Sequence, residues 1–317
     1  MTTDRTSFEP EQFIRDVEKS AALVDAPFSG SVTRDTVTAF QPQLSRHPLQ
    51  IKTTSKPDRR LYYRFFIDDR DTIDLRQIAA RSRLDPDTQE AVQLLEDTQS
   101  LAARGGRLVG CDFDAARGLA KVWMFVAGTP LAAVLGLPGV PASARGHAPL
   151  FARYGLDNVR FLATDFDTGT MNLYFRRPAA GLARWLPALL AETGAAAGAD
   201  TVAAIERTVP SECCVAMTFA WARPGLVRWS MYALDVGASG APAGQPPLVP
   251  DVLARFRDQA PTLSRDAQIN IAWSFGAGGL YMKLEKSYAR DIRRVLRDQM
   301  NCVFSPAGSA PARREAV

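Results

Sequence analysis

The sequence predicts an α+β protein: a closed, ten-stranded antiparallel β-barrel with α-helices packed around it. Three observations predict it. Strand-like pairs flanking a short turn recur five times at a spacing of about 50 to 56 residues. Helix-like stretches separate these hairpins. On the second strand of each hairpin, alternate residues sort into an apolar set and a set mixing cations with tyrosines.

The hairpins come in order. The first is "LQIKTTSKPDRRLYYRFF", and the second, "VGCDFDAARGLAKVWMFV", turns through Ala115 to Gly118. The third, "VRFLATDFDTGTMNLYFRR", turns at Asp167, Thr168 and Gly169; the fourth, "CCVAMTFAWARPGLVRWSMYAL", bends at Pro224 and Gly225. The fifth is "INIAWSFGAGGLYMKLEKSY", bending through Gly276 to Gly279. Aromatic and β-branched residues bounded by Gly, Pro and Asp clusters are the strand signature. Helical patterns cover 10–23, 88–103, 142–154, 182–196, 249–260 and 288–300. "GASGAPAGQPPLVP" reads as a loop, and residues 305–317 as a disordered tail after a single domain over 1–304.

Closing ten strands into one barrel leaves no unpaired edge, and a barrel this large has a lumen. Tyr63 and Phe65, Val122 and Met124, Leu173 and Phe175, Trp229 and Met231, and Met282 and Leu284 form the face that suits helices. The opposite face carries Tyr62, Arg64 and Phe66; Lys121, Trp123 and Phe125; Asn172, Tyr174 and Arg176; Arg228, Ser230 and Tyr232; Tyr281, Lys283 and Glu285. First strands add Lys52, Arg160 and Thr218. This expectation sets about seven inward cations against one carboxylate, Glu285. Like charges in an enclosed space repel unless an anionic ligand neutralises them. A solvated outer face would also carry cations, but it would not interleave them with Tyr62, Phe66, Trp123, Tyr174 and Tyr232 in hairpin after hairpin.

Composition excludes several chemistries. The chain has 317 residues, 46 % hydrophobic and 23 % charged, enough for an ample core. Its net charge of +4 is too small and scattered for nucleic acid. No apolar run approaches a membrane helix, and "MTTDRTSFEPEQF" lacks a secretory pattern, so a cytoplasmic protein is expected. The cysteines Cys111, Cys213, Cys214 and Cys302 form no CxxC pair and read as buried thiols. Two histidines, His47 and His147, offer poor support for a zinc site or a Ser/His/Asp triad. A cationic lumen of arginine and lysine suits a diphosphate, and aromatic faces beside it suit an allylic cation.

The stretches "LFARYGLDNVRFLATDFDTGTMNLYF", "CDFDAARGLAKVWMF", "IKTTSKPDRRLYYRFF" and "NIAWSFGAGGLYMKLEKSY" resemble the aromatic prenyltransferases of the ABBA (prenyltransferase) barrel family. The likeness runs from about Phe13 to Phe304 and leans toward the aminocoumarin branch, which prenylates 4-hydroxyphenylpyruvate. It implies that Lys52, Arg64, Lys121, Asn172, Arg228 and Lys283 grip dimethylallyl diphosphate. Tyr174 and Tyr232 would join them through hydroxyls and shield the cation with their rings. Glu285 in "YMKLEKSY" matches the family's carboxylate, which orients the acceptor and takes up its proton. Arg160 in "NVRF" matches the arginine that meets the acceptor, with Phe66, Trp123 and Thr218 as further walls of the acceptor site.

No metal or other cofactor is expected. "DDRDTID", Asp68 to Asp74, misses the DDxxD spacing by one residue and follows a strand, so a solvated turn is the plain reading. The family's magnesium-dependent branch has aspartate where this chain has Arg64, and a guanidinium there supplies the ion's charge. Bulky Phe66 favours a five-carbon donor. The alternatives are transfer to a phenazine, indole, quinoline or naphthalene, a phosphatase or isomerase of prenyl diphosphates, and a non-catalytic carrier of an anionic aromatic. The partners expected are the donor and a small aromatic acceptor, bound by a monomer.

Overall fold

The computed structural model describes residues 8–67, 89–102, 109–209, 211–236, 249–265 and 267–292. Its strands are β1 (Leu49–Thr54), β2 (Leu61–Ile67), β3 (Val109–Asp114), β4 (Gly118–Pro130), β5 (Asn158–Asp165), β6 (Thr170–Pro178), β7 (Glu212–Ala220), β8 (Leu226–Ala233), β9 (Ile269–Gly276) and β10 (Tyr281–Ala289). Each pairs antiparallel with its chain neighbours, and β1 pairs with β10, so the sheet closes on itself. The expected ten-stranded barrel is the fold.

The hairpin turns are built by aspartates and glycines. Asp114 Oδ1 accepts from the backbone N–H groups of Ala116 (2.8 Å) and Arg117 (3.1 Å), and Gly118 follows at φ 92°. Asp165 Oδ1 accepts from Thr168 N at 3.1 Å, ahead of Gly169 at φ 57°. An Asx turn followed by a left-handed glycine reverses the chain with little strain.

Helices lie on the outside. Phe13 and Val17 of α1 (Pro10–Leu23) belong to one continuous core with Tyr63, Phe65, Leu173, Phe175, Trp229, Met231 and Leu284, the apolar set read from the sequence. Trp185 and Leu186 of the helix Leu182–Glu192, and Leu253 and Phe256 of the helix Asp251–Gln259, extend that core. The alternating strands therefore bury one face under helices and turn the other inward.

The helix expectations need correction in places. The stretch expected as one helix over 142–154 is two, Ala142–Gly146 and Ala148–Arg153, because Pro149 has no N–H to carry the helical bond back to residue 145 and is tolerated only in the first turn of a new helix. Short helices at Gly30–Ala39, Gln41–Arg46, Leu131–Leu135 and Ala199–Thr208 were not anticipated. Tyr288 and Ala289, expected to open the last helix, complete β10; the rest of that stretch from residue 293 lies outside the described residues. So do Asp68 to Asp74, Cys302 and the tail, 305–317.

One inward glycine shapes the lumen. Gly110 pairs with Phe66 on one side and Trp123 on the other, and a β-carbon built on it would lie 2.9 Å from the Phe66 ring and 3.2 Å from Trp123 Cβ. The Phe66 ring and the Trp123 Cβ occupy the space a side chain would take. Gly110→Ala is expected to destabilise the fold by about 1–3 kcal/mol through overpacking, read as a lowered urea midpoint at unchanged m-value; an unchanged midpoint would show that the rings move aside freely.

Candidate active site

The lumen holds two chambers in series. One lies at the hairpin end and is lined by Lys52, Lys121, Arg228, Lys283, Tyr62 and Tyr281, among others. The other lies toward the opposite strand ends and is walled by Phe66, Phe125, Phe161, Cys214, Leu234 and Ile292, with Arg64, Arg160 and Glu285. Trp123, Tyr174 and Tyr232 line both and form the waist between them. Their rings are close-packed: Trp123 and Tyr174 centroids are 4.7 Å apart, Tyr174 and Tyr232 6.1 Å, and Phe161 stacks on Tyr174 at 4.3 Å.

A run of charges crosses the boundary between the chambers. Lys52 Nζ donates to Asp112 Oδ2 at 2.6 Å, and Asp112 Oδ1 lies 2.9 Å from Arg64 Nε as an ion pair set off the hydrogen-bond line. Arg64 Nη2 donates to Glu285 Oε1 at 2.8 Å, and Asn270 Nδ2 donates to Glu285 Oε2 at 3.1 Å. Asp112, Arg64 and Glu285 are all buried. Lys121 pairs separately with Asp165 at 2.9 Å. Lys283 Nζ donates to Tyr232 Oη at 3.1 Å and Ser230 Oγ at 3.2 Å.

These surroundings set the ionisation of the wall. Burial pulls the Lys52 ammonium down to about 8; Asp112 opposes this, while Arg64 and Lys121 add to it. Lys283 is held well below the ordinary lysine value by burial and then by Arg228, Lys121 and Lys52. For Asp112 burial favours the neutral acid, but Arg64, Lys52 and Lys121 outweigh it and hold the carboxyl below its usual range. Asp165 is lowered likewise, against burial, by Lys121 and then Arg228. Burial raises both Tyr174 and Tyr232, which therefore stay neutral hydroxyl donors.

Of the expected diphosphate ligands, Lys52, Lys121, Tyr174, Arg228, Tyr232 and Lys283 converge on the polar chamber. Arg64 instead lines the aromatic chamber beside Glu285. Asn172 and Thr218 face each other across β6 and β7, with Thr218 Oγ1 donating to Asn172 Oδ1 at 2.6 Å, and line neither chamber. The expected balance of seven cations to one carboxylate is corrected: among the described residues Asp112 and Asp165 face the lumen in ion pairs with Lys52 and Lys121, and Asp58 and Asp167 at the hairpin mouth and Glu212 at the other rim line it too.

Both omissions have a cause in strand phase. In "GCDFD", Cys111 and Phe113 belong to the outer core, so Gly110, Asp112 and Asp114 must face inward, a reading available from the sequence. In β5 a register shift between Val159 and Phe161 breaks the alternation. Val159 and Leu162 join the outer core while Phe161, Ala163 and Asp165 face inward, and the half-buried Arg160 reaches the aromatic chamber only through the bulge. A bulge leaves no sequence signal that could have been read here. At the same rim Arg176 Nε donates to Glu212 Oε2 at 2.6 Å.

Among the described residues, no group of three or more His, Cys, Asp or Glu side chains is placed to hold a metal ion, and no helix is long and apolar enough to cross a membrane.

Comparison with known proteins places this geometry. The family model described as "Aromatic prenyltransferase Orf2" matches residues 8–299. A 4-hydroxyphenylpyruvate 3-dimethylallyltransferase from Streptomyces niveus is 33 % identical over 94 % of this chain and 90 % of its own length. An aromatic prenyltransferase from Sclerotinia sclerotiorum is 31 % identical over 92 % of this chain and 94 % of its own. The crystal structure of 5-dimethylallyltryptophan synthase from Streptomyces coelicolor shares the fold at a TM-score of 0.57 and 14 % identity, covering 89 % of this chain and 98 % of that one. A binary complex of PriB with product diphosphate aligns at a TM-score of 0.55 and 11 % identity, over 88 % and 96 % of the two chains. With a closed barrel, a cationic chamber and an aromatic chamber meeting at a ring of tyrosine and tryptophan, this chain belongs to the aromatic prenyltransferase family, and it is a transferase.

Proposed function

We propose that this protein moves a dimethylallyl group from dimethylallyl diphosphate to a ring carbon of a small phenol bearing a carboxylate, of the 4-hydroxyphenylpyruvate type, without a divalent metal. The observation that carries the reading is the pair of chambers joined at the aromatic waist. The dimethylallyltransferase activity named for the Streptomyces niveus relative supports the choice of acceptor.

In this reading the diphosphate lies in the polar chamber against Lys52, Lys121, Arg228 and Lys283, and its five-carbon chain points through the waist. Ionisation places negative charge on the departing diphosphate, where preorganised cations stabilise it, and positive charge on the allylic fragment, where the faces of Trp123, Tyr174 and Tyr232 attract it. Phe66 and Phe125, 5.8 Å apart and edge to face, wall the chamber beyond and limit the length of the donor. The acceptor lies in the aromatic chamber with its carboxylate at Arg160 and its hydroxyl at Glu285. Glu285 takes the hydroxyl proton as the ring carbon attacks the cation; loss of the ring proton then restores aromaticity while the proton on Glu285 returns to the oxygen, so that diphosphate and one proton are released per turnover. Clustered ammonium and guanidinium groups supply the charge that magnesium supplies elsewhere, and Asp112 and Asp165 hold Lys52 and Lys121 in place beforehand. The site lies within one catalytic domain, for which a monomer suffices.

Incubation with dimethylallyl diphosphate and 4-hydroxyphenylpyruvate in EDTA is expected to give an adduct heavier by one isoprene unit in mass spectrometry. A requirement for added magnesium would remove metal independence, and absence of product on any aromatic would favour a carrier of anionic aromatics. Glu285→Gln is expected to lower kcat by about 10²–10⁴-fold while the inhibition constant of inorganic diphosphate changes little. Because kcat/KM reports the free enzyme, its value for the donor should decline as pH rises through about 8, where the Lys52 ammonium loses its proton. A profile flat to pH 9.5 would take Lys52 out of donor binding.

A further inference from the structure

Gln50 of β1 is buried, lines the aromatic chamber, and has no hydrogen-bond partner among the described residues at either Nε2 or Oε1. Arg64, Asn270 and Arg176 on that wall are engaged, Arg64 with Asp112 and Glu285, Asn270 with Glu285, and Arg176 with Glu212, whereas Ser287 Oγ, in register with Gln50 on β10, and Trp123 Nε1 are open like the Gln50 amide among the described residues. A primary amide carries two donor hydrogens and an acceptor oxygen, and burying it unpaired opposes folding. A leucine or methionine would fill the same space without that loss. A buried amide left open on a cavity wall therefore calls for a ligand that completes its bonds.

The register shows which part of the ligand meets it. Gln50 pairs with Arg64 on β2, and Lys52, two residues along the same inward face, pairs with Glu285 on β10. Gln50 thus stands beside the Arg64–Glu285 pair. We propose that Gln50 is a specificity-determining residue that selects oxygen-substituted aromatics, its side-chain N–H donating to the ring oxygen whose proton passes to Glu285. Such a contact favours phenols and dihydroxynaphthalenes over indoles and phenazines that carry no oxygen at this depth, because only an oxygen can accept from Gln50 while donating to a carboxylate. The assignment rests on the preceding reading of the aromatic chamber as the acceptor's.

The test uses Gln50→Met, the closest apolar match in shape, with Gln50→Leu as a second variant. Removal of an unpaired buried amide is expected to raise the melting temperature of the free enzyme, while kcat/KM for 4-hydroxyphenylpyruvate falls by about tenfold. The KM for dimethylallyl diphosphate should stay unchanged. In calorimetric titrations the preference of the wild type for 4-hydroxyphenylpyruvate over phenylpyruvate should shrink by a similar factor. A structural glutamine would give a lower melting temperature in both variants, and that result, or an unchanged preference for the hydroxylated ligand, would overturn the assignment. A wild type that prenylates no hydroxylated aromatic at all would overturn the acceptor reading itself and Gln50's role with it.

Discussion

The structure depends on one constraint, the enclosure of several cations inside a closed sheet. Arg64, Lys52 and Lys121 could not share the lumen unpaired without strong mutual repulsion in a medium that screens poorly. Asp112, held between Lys52 and Arg64, and Asp165, held by Lys121, supply the counter-charge. These carboxylates fix the geometry of part of the wall before any ligand arrives. Arg228 shares the field of Asp165 with Lys121, and Lys283 meets the hydroxyls of Ser230 and Tyr232 and the Tyr232 ring instead of an acid.

Barrel closure makes this arrangement possible. Antiparallel hairpins in chain order satisfy every neighbour along the sheet, and the final β1–β10 pairing brings Lys52 to Glu285 from opposite ends of the chain. Helices take the hydrophobic load on the outside, through the core that joins Phe13, Tyr63, Trp229 and Leu284. The lumen is thereby free to carry charge and oxygen chemistry that a packed interior would exclude. Stability resides outside the sheet and function inside it.

In the proposed reaction the waist separates two solvents. Diphosphate departure needs cations and hydroxyl donors, whereas an allylic cation survives where water is scarce and aromatic faces are close. Trp123 and Tyr174 at 4.7 Å, with Tyr232 completing the ring, stand where those two environments meet. Gly110 permits this by leaving room for Phe66 and Trp123 on the neighbouring strands.

The barrel, the helix-facing residues and most of the polar-chamber cations were legible in the sequence, because strict alternation along hairpins assigns each residue to a face. Tyr174, Tyr232, Lys283 and Glu285 stand where that alternation sets them. Register and irregularity were not legible. The bulge in β5 turns Phe161 and Asp165 inward against simple alternation, and cross-strand pairing, which joins residues such as Arg64 and Glu285 that are 221 positions apart, decides which cations are already held by acids. Asp112 was readable by phase, yet its role as a shared counter-ion, and the unpartnered state of Gln50, exist only once the sheet has closed. Outside the β5 bulge the sequence by itself determined which face a strand's side chains would choose; the tertiary structure alone decided their neighbours, because hydrogen bonds and ion pairs depend on distances across strands that no spacing along the chain records.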